Sequence, residues 1–325
     1  MHRRPLLAVA GLSPLAVPAI LRAQEAAWPT RPVTVTVPFV AGGPSDIVAR
    51  AAANRMAQAL SQPVVVENRP GANGEVAARV VMRLPPDGHA VMVGSIGVWA
   101  INAALRPTLG YDPLRDFTPL TLAVTNPNVL VVNERHPARD VRSLIAWLRS
   151  RNGAASYSTS GVGSSDHLTS ELFKLRTGTE VTHVPYSGGA AAATDVIAGN
   201  IDISFQNLGT VAGHIAGGRL RALMVTSERS SPTLPGVPTA AESGLDDFVV
   251  TSWQAFNGPA GMAAPLRDRV AGALREALLH PETRARLEAG GFDVVANAPE
   301  EYGRFQAAEI ARWRDVVGRA RITAT

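Results

Sequence analysis

Strand and helix patterns that alternate along most of the chain predict an α/β protein of two similar halves, built on parallel sheets flanked by helices. Three observations carry that expectation. Short apolar runs alternate with helical periodicities through both halves of the sequence. A strand that runs through paired glycines into a helix occurs twice, as VTVTVPFVAGGPSD at 33–46 and as THVPYSGGAAAATD at 182–195. The chain has 325 residues, 46% of them hydrophobic, and no cysteine, so two domains must be held by core burial alone.

The elements follow in order. Valines 33, 35 and 37 alternate with threonine as in a strand over 33–39, and Pro44 opens a helix to about Leu60. Val64 to Val66 reads as a short buried strand ended by Asn68-Arg69-Pro70-Gly71. A helix is expected from Gly74 to Leu84, a strand from Ala90 to Val93 and a turn at Gly94-Ser95. Pro113 and Pro119 predict irregular chain before a strand at Val129–Val132. The second half gives a helix at 140–151, a strand at 155–158, a Gly/Ser-rich loop at 159–165 and a helix over 168–175. Strands at 181–185 and 201–205 bracket a helix at 190–198, and 220–226 is one more strand. Pro232, Pro235 and Pro238 resemble a linker, 248–256 returns toward the first half, and helices at 265–279, 282–288 and 299–319 complete the chain.

The two glycine turns are the candidate site. A strand that enters a helix through Gly-Gly leaves backbone N–H groups pointing out of the turn, and the helix dipole adds partial positive charge there. Such a turn suits an anion. The candidates are Phe39, Gly42, Gly43 and Asp46 in the first copy and Tyr186, Gly188 and Gly189 in the second, with the two aromatics walling a small pocket. Asp46 and Asp195 each stand near a helix start, where a carboxylate also serves as a cap. Neither turn is a nucleotide fingerprint. Ser164, Ser165, Asp166 and His167 are adjacent and point in different directions, and no nucleophile elbow is present, so a hydrolase is disfavoured. The seven histidines show no metal-binding spacing, and no cofactor is expected.

The first 23 residues read as an export segment: His2-Arg3-Arg4, then an apolar stretch broken by Pro14 and Pro18, with cleavage close to Ala23. Arg3-Arg4 permits twin-arginine export, and the general secretory route stays open. The 31 basic and 27 acidic residues give +4; without Arg3, Arg4 and Arg22 the balance is 28 to 27, or +1, and no basic run suggests a nucleic acid.

The segments VPFVAGGPSDIVAR, VVVENRPGANG, YSTSGVGSSDHL, HVPYSGGAAAATDVIAGNIDISFQN and TSWQAFNGPAGM resemble the Bug family, the exported substrate-binding receptors of tripartite tricarboxylate transporters. The resemblance covers essentially the whole mature chain. It implies a type II periplasmic binding protein, a clamshell of two α/β domains: 28–127 plus 251–325, and 128–250, after a signal peptide at 1–23. Crossings would fall near Asn126–Asn128 and Thr251–Trp253. It further implies a monomeric, non-catalytic periplasmic receptor that holds a small carboxylate by backbone amides and delivers it to a membrane permease. The alternative is a binding protein that signals to a membrane kinase. Ser45, Ser95, Ser160, Gly163, Ser164, Ser165 and Asn207 join the candidate ligand-binding residues on this ground. One departure is Pro44-Ser45, where relatives often carry a third glycine or a threonine; Pro44 offers no N–H.

Overall fold

The computed structural model describes residues 28–320 and residue 322; the expected export segment lies outside the described residues. The first strand, β1 (Val33–Val37), is almost wholly buried because it is central, hydrogen-bonded in parallel to β2 (Val64–Asn68) on one side and β3 (Ala90–Ser95) on the other. Between them run α1 (Pro44–Leu60), started by a proline in its first turn and stopped at Ser61 in the left-handed region, and α2 (Glu75–Val81). A wide helical turn, Gly97–Ile101, leads directly into α3 (Asn102–Leu105).

Next comes β4 (Phe117–Asn133), which joins two wings of the sheet. Its residues 117–127 pair antiparallel with β9 (Thr251–Pro259), and residues 128–133 pair with β7 (Ile203–Asn207) and, for the most part, β8 (Leu220–Val225). The second wing contains α4 (Val141–Ser150), β5 (Ser156–Thr159), α5 (Ser165–Thr177), β6 (Thr182–Pro185), α6 (Gly189–Ala198) and α7 (Leu208–Ala216). An Asp140–Ser143 capping box starts α4. After β9, the chain adds α8 (Ala264–Leu279), α9 (Pro281–Ala289), β10 (Asp293–Val294) and α10 (Pro299–Ala320) to the first wing.

The strand order is β2-β1-β3-β9-β4-β7-β5-β6, with β8 and β10 also bonded to β4. Each wing therefore has a central strand between two parallel neighbours: β1 between β2 and β3, and β5 between β6 and β7. Apolar side chains pack on both faces, the Val33–Met56–Leu274 and Trp99–Trp253–Trp313 groups in the first wing and the Phe173–Phe205 and Val129–Val211 groups in the second.

Several expectations are corrected. The sheet is mixed, since β9, β8 and β10 all run antiparallel to β4. Pro119 does not interrupt β4: the register shifts between Pro119 and Thr121, and that bulge accommodates a residue with no N–H to give. β2 is an edge strand with Val65 46% exposed, so Val64–Val66 is not buried. The turn expected at Gly94-Ser95 begins later, as both residues pair with β9. α5 starts at Ser165 rather than Leu168, and α7 follows β7 without a loop. No helix among the described residues is long and apolar enough to cross a membrane.

Candidate functional site

The carboxyl ends of β1, β3, β5, β6 and β7 open onto a cavity between the wings. Open α/β sheets place ligands at that edge because helix N-termini converge there. The lining includes Phe39, Gly43, Ser45 and Ser95 from the first wing, and Ser160, Ser164, Ser165, Gly188, Gly189 and Asn207 from the second. Val40, Pro44, Asp166, Ala190 and Gln254 complete it. No lysine, arginine or histidine side chain contributes, so positive potential comes from helix ends and N–H groups.

The first wall is set by the turn between β1 and α1. Gly42 is the glycine that needs its freedom there, with φ +86, whereas Gly43 is extended at φ −82 and caps α1. Asp46 does not face the cavity. It is 3% exposed, and its carboxylate accepts from the Gly42 N–H (3.0 Å), Asn68 Nδ2 (3.0 Å) and Arg50 Nε (2.9 Å). Burial pushes this acid up, but the Arg50, Gly42 and Asn68 hydrogen bonds outweigh it and hold it below the usual carboxylate range. Asp46 thus ties the turn to α1 and β2. Ser45 sits beyond it and donates to Gln254 Oε1 at 2.5 Å, which leaves the Gln254 NH2 group without that partner.

The second wall comes from two junctions. After β5, Ser164 caps α5, its hydroxyl accepting from the His167 N–H at 3.3 Å and donating to the Gly161 carbonyl at 2.6 Å. Asp166 follows, 1% exposed, with Oδ2 accepting from Ser160 N (2.7 Å), Ser160 Oγ (2.6 Å) and Gln206 Nε2 (3.1 Å). Burial drives its carboxyl upward despite these donors. After β6, Gly188 and Gly189 open α6, whose first turn carries no acid. A Cβ on Gly189 would lie 2.6 Å from Gln206 Oε1, and one on Gly188 would lie 2.9 Å from the Val40 side chain of the opposite wing. Both glycines are required by close approach, not by a left-handed φ. Asn207 ends β7 and donates to Asn128 Oδ1 and to Ser165 Oγ (3.2 Å), tying this wall to the point where β4 changes partners.

Four sequence candidates lie off the cavity. Gly42 and Asp46 form the turn just described. Gly163, at φ +84, packs toward Asn73 and Asn102 of the first wing, where a Cβ would meet both within 3.2 Å. The Tyr186 hydroxyl donates to Asp195, and the ring packs in the Val129–Val211 group, so it is no counterpart of Phe39. Conversely, Gln254 lies within a long strand and carries no local signal. Asp166 stands in a Ser-Ser-Asp-His run that reads as a helix cap, and only the fold shows that it lines a cavity. Among the described residues no group of three or more His, Cys, Asp or Glu side chains is placed to hold a metal.

Residues 48–321 match a family described as the tripartite tricarboxylate transporter family receptor. Three solved structures are similar over nearly the whole chain. R. palustris Rpa4515, solved with adipate, is 35% identical with a TM-score of 0.88, covering 91% of this chain and 99% of its own. MatC (Rpa3494) from Rhodopseudomonas palustris, solved with bound malate, is 33% identical with a TM-score of 0.85, covering 89% and 100%. The periplasmic binding protein BugD is 30% identical with a TM-score of 0.87, covering 91% and 99%.

Proposed function

The chain belongs to the family of tripartite tricarboxylate transporter receptors, with the fold of the periplasmic binding protein BugD, and on that premise we propose that it captures a small carboxylate between its two wings. The observation that carries this reading is the composition of the cavity wall: helix N-termini, serine hydroxyls and a glutamine amide, with no cationic side chain and one acid, Asp166, whose carboxylate is held by Ser160 and Gln206. Such a wall stabilises a carboxylate by preorganised N–H donors, with the α6 start as the principal seat because no acid of its own offsets the helix dipole. Adipate and malate in two relatives support the ligand class.

The two wings act as domains, 28–127 with 251–325 and 128–250, that hinge where β4 changes partners at Pro127–Asn128 and where β9 begins. The 2.9 Å approach between Val40 and the position of a Gly188 Cβ supports a closed state here. The mature protein is periplasmic, cut near Ala23, works as a monomer, has no catalytic role, and hands its ligand to a membrane permease. Denaturation of the mature protein with and without mono-, di- and tricarboxylates tests the binding step. A true ligand at 100 times its dissociation constant adds about 2.7 kcal/mol. Small-angle scattering with that ligand should show a smaller radius of gyration. If no carboxylate stabilises the protein, the reading is wrong.

A further inference from the structure

A column of stacked rings in the second wing ends at its contact with the first. Lys174 Nζ lies 5.7 Å from the centre of the Tyr157 ring, Tyr157 stacks on His183 with ring centres 4.8 Å apart, and His183 stacks on His167 at 4.4 Å. At the inner end His167, 4% exposed, accepts a hydrogen bond at Nδ1 from the Gly163 N–H at 3.2 Å. His183 Nε2 lies 2.7 Å from Thr159 Oγ1, which in turn accepts from the Gly161 N–H at 3.2 Å. Both imidazoles thus hold the 159–163 segment, and neither ring lines the cavity. That segment meets the other wing: a Cβ on Gly97 would lie 3.1 Å from the Gly163 carbonyl oxygen.

On the hinged-receptor reading above, we propose that His167 and His183 are positioning residues: as a neutral pair they hold residues 159–163 against the first wing, and proton uptake by the pair releases that segment and favours the open state. A ring nitrogen that accepts must be unprotonated, so only a neutral His167 can hold Gly163. A proton on Nδ1 turns that contact into two N–H groups facing each other. The ionisable groups around the pair do not compensate the charge. Glu171 of α5 is taken by Lys174 at 2.8 Å and by the Tyr157 hydroxyl of β5, and Asp166 of α5 by Ser160 and Gln206. Burial, with the neighbouring His183 second, holds His167 down to about 4, and burial lowers His183 as well. In the released state both rings return toward the ordinary imidazole value of about 6.5. The held state therefore loses ground to the released one as pH falls from that value toward about 4.

Amide hydrogen exchange of the ligand-free mature protein tests the hold without any ligand, resolved by residue in NMR spectra from pH 7 to pH 4.5 and corrected for the intrinsic rate. Protection at Gly163 should fall by about tenfold or more over that range, while the amides of β4 and β7 keep theirs. His167→Gln supplies an acceptor that does not titrate and should keep Gly163 protected throughout, whereas His167→Leu should lose that protection already at pH 7. A flat wild-type profile overturns the proposal. So does protection lost equally across β4 and β7, which would make the pair a core feature that melts in acid. The wild-type profile alone decides if the variants do not fold. Small-angle scattering with malate or adipate tests the link to closure. Where either acid contracts the protein at pH 7, the contraction should weaken by pH 4.5 more in wild type than in His167→Gln, which reports the titration of the acid itself. Equal weakening in the two proteins overturns that link. If neither acid nor any other carboxylate binds, the receptor reading falls, and the exchange profile still decides whether the pair holds residues 159–163.

Discussion

The two wings share a frame and use it differently. In each, a central strand flanked by two parallel neighbours runs into a helix that starts at the cavity: β1 into α1, and β5 into α5. Both helices carry Ser-Asp in the first turn, at Ser45-Asp46 after Pro44 in α1 and at Ser165-Asp166 in α5. By topology, the partner of the Gly42-Gly43 turn is therefore the 160–165 loop. The Gly188-Gly189 turn follows β6, the counterpart of β2, one strand–helix unit away. Similar residues recur there because every junction at this edge must bring backbone close to the cavity, which favours residues without a Cβ. Local likeness reports that shared demand and says nothing of position in the fold. The aspartates then diverge. Asp46 is spent on its own turn, while Asp166 lines the cavity.

If the second wing's glycine turn is the principal seat, damage there should exceed damage at the first. Gly189→Val drives a side chain into Gln206, 2.6 Å from the first added carbon, and Gln206 in turn holds Asp166 and Ser204. Overpacking of this kind costs about 1–3 kcal/mol. We expect the stability gain from a bound carboxylate to disappear as well. A denaturation midpoint measured with and without ligand reads both effects, and a Gly189→Val protein that still gains stability from ligand would refute the assignment to α6.

Asp46→Ala should come next, and act on the fold. It takes the acceptor from the Gly42 N–H and one acceptor each from Asn68, which keeps the Phe39 carbonyl, and Arg50, which keeps Asn68 Oδ1, a loss of about 2 kcal/mol after allowing for the half-exposed, screened Arg50. Because the native carboxyl is held low, its stabilisation is complete above the unfolded value near 3.9 and is lost as pH falls through the native one. The gap between wild type and Asp46→Ala should thus shrink in acid. An unchanged gap down to pH 2 would mean that the turn does not depend on this charge.

Asp166→Asn should show the opposite sign. Burial raises the native carboxyl, so ionisation costs stability at neutral pH and the native state regains a proton first as pH falls. Ligand-free wild type should therefore gain on Asp166→Asn between pH 7 and pH 4. Parallel pH curves for the two proteins would show that Asp166 is solvated in the ligand-free state, as an open cleft allows.

How much of this was legible follows the same division. Helix α1 is readable to both ends, because Pro44 fixes its start and Ile47, Val48, Ala52 and Met56 keep one face apolar. β4 is not, since Pro119 looks like a break until β9 supplies a partner that tolerates the bulge beside it. In the cavity, the turn residues Gly43 and Gly189 announce themselves by chemistry and place, whereas Ser45 and Ser160 come into view through the family resemblance. Gln254 does neither, since a glutamine among Trp253, Ala255 and Phe256 of β9 becomes a wall residue only when the chain returns beside β3. Tyr186 misleads in the other direction: its Val-Pro-aromatic setting copies Phe39, yet Asp195 captures the hydroxyl.

The smallest effect is expected at Gly43, which makes it the sharpest test of the comparison. Sequence likeness makes Gly43 and Gly189 equivalents, so valine or alanine should be equally damaging at either. The geometry disagrees. Gly43 has φ −82, open to any residue, and the nearest atom to an added Cβ is the Val40 carbonyl oxygen at 3.9 Å, an ordinary contact. Gly43→Ala should therefore stay within about 0.5 kcal/mol of wild type. Its methyl would enter the cavity wall, so some affinity should be lost through volume, while the ligand-dependent gain persists. Gly42→Ala, one residue earlier at φ +86, should cost about 1 kcal/mol through backbone strain alone and spare the cavity. A Gly43→Ala protein as unstable and as ligand-blind as Gly189→Val would restore the symmetric reading, with both glycine turns gripping the ligand alike.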